Sequence, residues 1–227
     1  MLAILYDIHG NLPALEAVLA DAEEHGAERY LLGGDYTLFG GWPRETLARL
    51  RELDAGWIRG NGERWTADPS SAPEDKTVQA AIAGARQQLG EQAVADLGAL
   101  AEQTVVDGTR YCHASPVSDV RSFLPEPSPE DDELLDGIEE SRLVFGHTHL
   151  PFRRQSTDGV ELVNPGSVGM PFDGNPRAAY ALVDDDGTLE LRRVRYDHAL
   201  AARTVRERFP DFGEVVMRRI ESARLTV

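Results

Sequence analysis

Short apolar runs recur along this chain, and most of them stop at a glycine beside Asp, Asn or His. Leu2 to Leu5 leads into Asp7-Ile8-His9-Gly10, Arg29 to Leu32 into Gly33-Gly34-Asp35, and Gly56 to Ile58 into Gly60-Asn61. Further on, Thr109 to Cys112 leads into His113, and Leu143 to Phe145 into Gly146-His147-Thr148-His149. Runs of this length, bounded by turn residues, read as short buried strands. The early ones are separated by helical patterns. Pro13 opens a helix with Leu15, Val18, Leu19 and Ala22 on one face as far as Glu24, and Pro43 opens a second with Leu47, Leu50 and Leu53. Thr66 to Asp75 reads as a loop, and Lys76 to Thr104 as two helices broken near Gly90, expected to form a cap over one side of a site. The later strands pair as hairpins around Asp107-Gly108, Asp158-Gly159 and Asp186-Gly187. A short helix is predicted near Asp131 to Ile138, and two more from His198 to Phe209 and Val215 to Leu225. Strands that alternate with helices early and form hairpins late imply a mixed sheet system.

The polar residues at the ends of these runs carry the candidate chemistry. In α/β sheets, sites gather at the carboxyl ends of strands. On an extended segment His147 and His149 project from one side, suited to one metal each or to a shared two-metal site. Together with Asp7, His9, Asp35, Asn61 and His113 they make seven N and O ligands. That is too many for one tetrahedral ion. It suits two divalent ions of the Mn, Fe, Zn or Ni kind with one carboxylate as bridge. Of the remaining histidines, His25 falls at a helix end near the dipole, and His198 opens a helix without a partner motif. Cys112 alternates to the opposite face from His113 and reads as a small buried apolar residue.

Composition narrows the function. The formal charge of -16 in 227 residues argues against stable nucleic-acid binding, which needs surface Lys and Arg. It leaves a small phosphorylated substrate open, because bound metal reverses the local field. One cysteine excludes an intrachain disulfide and fits a reducing compartment. Met1 to Leu5 lacks the features of a signal peptide, and no apolar run is long enough to span a bilayer. The expectation is a cytoplasmic protein with no membrane partner, free to form a homo-oligomer.

With these residues in hand, the chain resembles the calcineurin-like metallophosphoesterases. Their ordered pattern of Asp-x-His, Gly-Asp, Gly-Asn, His and Gly-His-x-His is supplied by Asp7-Ile8-His9, Gly34-Asp35, Gly60-Asn61, His113 and Gly146-His147-Thr148-His149. Asp-Ile-His-Gly-Asn-Leu-Pro-Ala-Leu-Glu-Ala-Val and Asn164-Pro-Gly-Ser-Val resemble the small single-domain prokaryotic branch, phosphodiesterases among them. The resemblance implies an α/β fold, a four-layer αββα sandwich of two facing mixed β-sheets flanked by helices, with residues 1–227 as one domain. It implies that Asp7, His9 and His149 hold a first metal, that Asn61, His113 and His147 hold a second, and that Asp35 bridges them. It also implies hydrolysis of a phosphodiester or phosphoanhydride bond in a nucleotide-like substrate, with a hydroxide held between the metals as nucleophile and no further catalytic side chain. A phosphomonoesterase, or a metal-binding interaction scaffold without catalysis, are the alternatives.

Three departures stand out. Relatives carry a histidine, thought to protonate the leaving group, where this chain has Gly62. Some carry a supporting Asp where it has Leu38, so both partners of that acid are absent together. Tyr6 replaces a serine before the first Asp, which would narrow the site or bond a ligand. Asn11 and Tyr36 are candidate substrate contacts. Asn11 is at least as well suited to capping the helix that follows it. Tyr36, Phe39 and Trp42 suit stacking on a base or aryl group and equally suit packing.

Overall fold

The fold is that of a computed structural model, which describes residues 1–226. The apolar runs form ten strands in two five-stranded mixed sheets. In the first sheet β1 (Leu2–Leu5), β2 (Arg29–Leu32) and β3 (Ala55–Trp57) are parallel neighbours. The hairpin β9 (Ala178–Val183) and β10 (Leu189–Val194) extends that sheet on the far side of β1, giving the order β10-β9-β1-β2-β3. In the second sheet β5 (Thr109–Cys112), β6 (Arg142–Val144) and β8 (Glu161–Asn164) are parallel. They are flanked by β4 (Gln103–Val106) and β7 (Phe152–Gln155), each antiparallel to its neighbour. Each sheet thus has three parallel strands, and parallel strands leave their carboxyl ends at one edge.

Between the sheets lies a core of Ile4, Tyr6, Leu31, Ile58, Tyr111, Val144, Val163 and Ala181. Strand alternation turns Ala3, Leu5 and Leu32 the other way. There they pack with Leu15, Val18 and Leu19 of α1 (Leu12–Glu24) and Leu47 and Leu50 of α2 (Pro43–Leu50). Outside the second sheet Cys112, Leu143, Phe145 and Leu162 are covered by Phe123 and by Leu134 of the short α6 (Asp131–Leu134). The result is the four-layer sandwich.

Several bounds differ from the sequence reading. Helix α3 (Asn61–Ala67) starts at Asn61 itself and runs into the stretch read as loop, within which Pro69–Ser71 forms a 3-10 turn. Residues 76–104 give α4 (Lys76–Leu89) and α5 (Glu91–Gly98), but the helix ends at Gly98 and Gln103 already belongs to β4. Ala81, Ile82 and Ala85 of α4 pack with Ala202 and Val205 of α7 (His198–Arg208) and Val216 of α8 (Gly213–Ser222). That cluster also takes in Leu38 and Met170, so these helices buttress the loop that carries Asp35 and the segment whose Met170 carbonyl contacts the His149 ring.

Candidate metal centre

All seven predicted ligands sit at the common strand edge and come together. Asp7 and His9 follow β1, Asp35 follows β2 and Asn61 follows β3, while His113 follows β5 and His147 and His149 follow β6. The two sheets therefore contribute opposite halves of one cluster. Asp7, His9, Asp35, Asn61, His113 and His149 are each at most 4% exposed. Asp7, His9 and His149 offer ligand atoms to one point, and Asp7, Asp35 and His113 to another.

Backbone conformation aims these side chains. Asp7, His9, Asp35, His147 and His149 all have positive φ, between 50° and 66°. This left-handed region is uncommon for residues with a Cβ and clusters at functional sites. The two histidines of the Gly-His-x-His motif thus converge because each is turned back, not because an extended strand alternates. Gly146 serves close approach: a Cβ there would lie 2.6 Å from Asp7 Oδ2 and 2.5 Å from Tyr6 Cδ1. Gly34 combines both needs, with φ of 95° and a hypothetical Cβ 2.6 Å from Gly60 N.

The protons of three rings are placed by backbone carbonyls. His9 Nδ1 lies 2.9 Å from Leu38 O, His149 Nδ1 2.6 Å from Met170 O and His113 Nδ1 2.9 Å from Gly33 O. Since a carbonyl only accepts, each Nδ1 carries the hydrogen and each Nε2 presents a lone pair. Yet His9 Nε2 and His149 Nε2 face each other at 3.0 Å. Asp7 Oδ1, buried and without a hydrogen-bond partner, lies 3.5 Å from His149 Nε2 and 4.0 Å from His9 Nε2. Two lone pairs and a carboxylate oxygen aimed at one point, with no proton among them, constitute a cation site.

A second convergence lies beside it. Asn61 Oδ1 is 3.0 Å from His113 Nε2, and the Asn61 amide also reaches His147 Nδ1. Turned with its oxygen inward, the amide points an acceptor at acceptors, which a cation between them resolves. Turned the other way it donates to His147 Nδ1 at 2.9 Å and to His113 Nε2 at 3.0 Å. Asp35 spans the two groups, with Oδ2 3.8 Å from His9 Nε2 and Oδ1 3.5 Å from His113 Nε2. The donor set therefore fits divalent metal.

Burial, then the neighbouring histidines, lowers the pKa of His9 and of His147 to about 4. For His113 burial pulls downward, but Asp35 and Asp7 outweigh it and the shift is upward. Burial alone would raise the Asp7 carboxyl, but His149, His113 and His9 hold it well below the usual carboxylate range.

The residue that sequence reading missed is Glu63. Buried, it accepts from the backbone N–H of Asp35 at 2.8 Å, Tyr36 at 2.8 Å and Gly60 at 2.9 Å, tying the Asp35 loop to the Asn61 loop. Burial and then the Asp35 charge raise its pKa to about 7. Its spacing from Gly60 is half of a capping box, a signal legible in Gly60-Asn61-Gly62-Glu63.

Other expectations need correction. Tyr36 is fully buried with its hydroxyl 2.7 Å from Leu32 O and 2.5 Å from Ile58 O, so it packs within the fold and offers substrate nothing. Asn11 caps α1 by accepting from Ala14 N, and its Nδ2 donates to Gly169 O at 2.7 Å, which leaves it a structural role. Tyr6 neither narrows the site nor bonds a ligand. It lies between the sheets and donates to Val144 O at 3.0 Å, in space left by Gly33 and Gly146. Leu38 is buried among apolar side chains. Gly62 N donates to Asp35 Oδ1 at 2.7 Å, where a Cβ would come equally close.

Comparison with known proteins agrees with this geometry. Residues 1–187 match the calcineurin-like phosphoesterase superfamily domain. An uncharacterized protein of Methanocaldococcus jannaschii is 29% identical, over 93% of this chain and 95% of its own. The phosphodiesterase YfcE of Escherichia coli is 29% identical, over 79% of this chain and 85% of its own. A metallophosphoesterase from Sphaerobacter thermophilus has the same fold, with a TM-score of 0.84 at 24% identity over 98% of both chains. The chain belongs to the calcineurin-like phosphoesterase superfamily and is a metal-dependent hydrolase.

Proposed function

We propose that the protein hydrolyses phosphodiester or phosphoanhydride bonds of a small, nucleotide-like substrate with two divalent metal ions. The observation that carries this reading is the meeting of His9 Nε2, His149 Nε2 and Asp7 Oδ1 beside Asp35, His113, Asn61 and His147. Asp7, His9 and His149 would hold one ion, and Asn61, His113 and His147 the other. Asp35 is the better bridge. Each carboxylate accepts one backbone N–H, but the two oxygens of Asp35 face histidines of opposite groups, Oδ2 toward His9 and Oδ1 toward His113, whereas only Oδ1 of Asp7 faces the histidines' Nε2 atoms. When bound, such ions supply Lewis-acid charge for phosphate oxygens and make water a nucleophile near neutral pH. The chain's own contribution is to hold ring protons on Nδ1, to keep the ligand loops in register through Glu63, and to exclude other proton donors. Among Mn, Fe, Zn and Ni the ligand types do not choose. Buried, unpaired Cys112 and the absence of a long apolar helix among the described residues support a cytoplasmic setting.

Preference for diesters and anhydrides follows from Gly62 and Leu38. A positioned acid typically contributes about 10²–10⁴-fold when a basic alkoxide departs, and neither residue can donate a side-chain proton. YfcE, a relative that bears the name phosphodiesterase, supports the same choice. The test is a series of esters of graded leaving-group pKa, assayed with Mn, Ni and Zn. Aryl diesters and phosphoanhydrides should be cleaved well and alkyl monoesters poorly. Equal rates on alkyl and aryl esters would overturn the preference, and no hydrolysis of any ester by metal-loaded protein would favour an interaction scaffold.

A further inference from the structure

At the metal-bearing end of the first sheet, on its β9–β10 side, lies a cavity of about 330 Å³ walled by Asn175, Pro176, Arg177, Arg195, Tyr196 and His198. Strand register fixes its position. Ile4 of β1 pairs with Ala181, and Ala178 pairs with Val194, so the chain leaves β10 beyond the end of β1 from which Asp7 and His9 emerge. Two short routes connect the cavity to the metal centre. Along the chain, Met170 O holds His149 Nδ1, Phe172 stacks on the His149 ring at 4.4 Å, and the same segment continues to Arg177. Across the fold, the Tyr196 hydroxyl accepts from Asn11 Nδ2 at 3.2 Å, Asn11 Nδ2 donates to Gly169 O, and Gly169 N donates to Asp7 O at 3.0 Å.

The charge of this cavity runs against the rest of the molecule. The chain carries 39 acidic residues against 23 basic ones. Four other cavities, of about 270 to 540 Å³, each include an acidic residue in their lining, among them Asp119, Asp184, Asp211 and Asp136. This one is lined by two arginines and a histidine and by no acidic residue. The nearest acids in sequence are already partnered: Asp173 accepts from Asn175 N and pairs with Arg193, which also donates to the carbonyls of Asn175 and Arg177, and Asp197 caps α7 by accepting from Leu200 N. Among the described residues neither Arg177 nor Arg195 has an ion-pair partner. Guanidiniums offer planar, bidentate donors matched to phosphate, and Tyr196 and Pro176 supply a flat apolar wall.

We propose that this cavity is a second anion site that takes a phosphate group, distinct from the metal centre. Its occupant is either a further phosphate of the substrate or a free phosphate anion. The double variant Arg177→Gln/Arg195→Gln tests it, because neither residue belongs to the metal centre and both are exposed. Calorimetric titration of methylenediphosphonate, a pyrophosphate analogue with no anhydride bond to cleave, into the metal-loaded protein should show two binding events in the native chain. The variant should retain one and weaken the other at least 10-fold. Chelation of the metal should leave only the cavity event in the native protein and none in the variant. Equal diphosphonate binding by native and variant protein, or no binding by the chelated native protein at millimolar concentration, would overturn the site. Source is then assigned by kinetics, in an arm that rests on the proposed reaction while the binding arm does not. A KM raised about 10-fold for a dinucleoside polyphosphate, with kcat and the rate on a one-phosphate aryl diester unchanged, assigns the site to the substrate. Unchanged KM on both assigns it to a free anion. Failure of the catalytic reading would appear separately, as absent turnover with diphosphonate binding intact.

Discussion

Tyr6 occupies its place because two neighbours have no side chain. A Cβ at Gly33 would lie 2.1 Å from Tyr6 Cε1, and one at Gly146 would lie 2.5 Å from Tyr6 Cδ1. Tyrosine at 6 and glycine at 33 therefore form one unit that bolts the first sheet to the Val144 carbonyl of the second. Gly33→Ala should destabilise by about 1–3 kcal/mol through overpacking. In denaturant titration that cost should shrink in the Tyr6→Ser background, and equal costs in both backgrounds would refute the coupling. Tyr6→Phe removes only the hydrogen bond and should cost about 1 kcal/mol. The buried histidines set a pH dependence for the metal-free protein. His9 and His147 have pKa values of about 4 in the fold against 6.5 unfolded. Below pH 6.5 the unfolded chain therefore binds protons that the fold refuses, and stability falls as pH drops from about 6.5 to 4. His113 acts the other way: its raised pKa stabilises fully below the unfolded value and the contribution is lost as pH rises. Across that window His113 is protonated in both states and adds no slope, while buried Glu63, raised to about 7 in the fold against 4.5 unfolded, gains stability as pH falls and opposes the two histidines. With two groups against one, urea midpoints of chelated protein should fall between pH 6.5 and 4. His9→Gln should flatten that slope, and a midpoint that rises on acidification would contradict the assignment.

At the scale of elements, the strands and their order of ligands were legible, because short apolar runs ended by glycine have few alternatives. The Asp-Gly hairpin at 107–108 was legible for the same reason, and both turn residues have the positive φ such turns require. Two features were not. Left-handed backbone at Asp7, His9, Asp35, His147 and His149 leaves no mark in residue type, since the surrounding fold imposes it. Helix α3 has no apolar periodicity in Asn-Gly-Glu-Arg-Trp-Thr-Ala and is held by contacts made elsewhere: Glu63 on the Asp35 loop, and Gly62 N on Asp35 Oδ1. This dependence yields two predictions. Glu63→Gln keeps the shape but weakens the acceptor for three N–H groups, and partners behind ligands are typically worth about 10–100-fold in metal affinity. Gly62→Ala would place a methyl 2.7 Å from Asp35 Oδ1 and should weaken metal binding to a similar extent by displacing that carboxylate. Both are read by competition titration against a metal chelator. Native affinity in Gly62→Ala would show that the Asp35 carboxylate has another resting place. The same crowding means that Gly62→His does not simply restore a missing acid.

At the scale of the whole molecule, the centre is a junction between two sheets that otherwise meet through apolar packing. Asp7, His9, Asp35 and Asn61 come from loops of the first sheet, and His113, His147 and His149 from loops of the second. Bound cations would tie those loops together and offset the repulsion between facing acceptors such as His9 Nε2 and His149 Nε2. A ligand that binds only the folded state stabilises it by about 2.7 kcal/mol at 100 times Kd and about 4.1 kcal/mol at 1,000 times Kd. For a chain of this size each kcal/mol shifts Tm by roughly 2–4 °C. Chelation should therefore lower Tm on the order of 10 °C, with recovery on re-addition of Mn, Zn or Ni. Hydrogen exchange should locate the loss. Amides after β1, β2, β5 and β6 should exchange faster together when metal is removed, while the Asp107-Gly108 and Asp186-Gly187 turns at the opposite edge should not change. Faster exchange confined to the loops of one sheet would mean that the ligands of the other do not share the centre. An unchanged Tm would mean that the seven residues do not bind the ions at all.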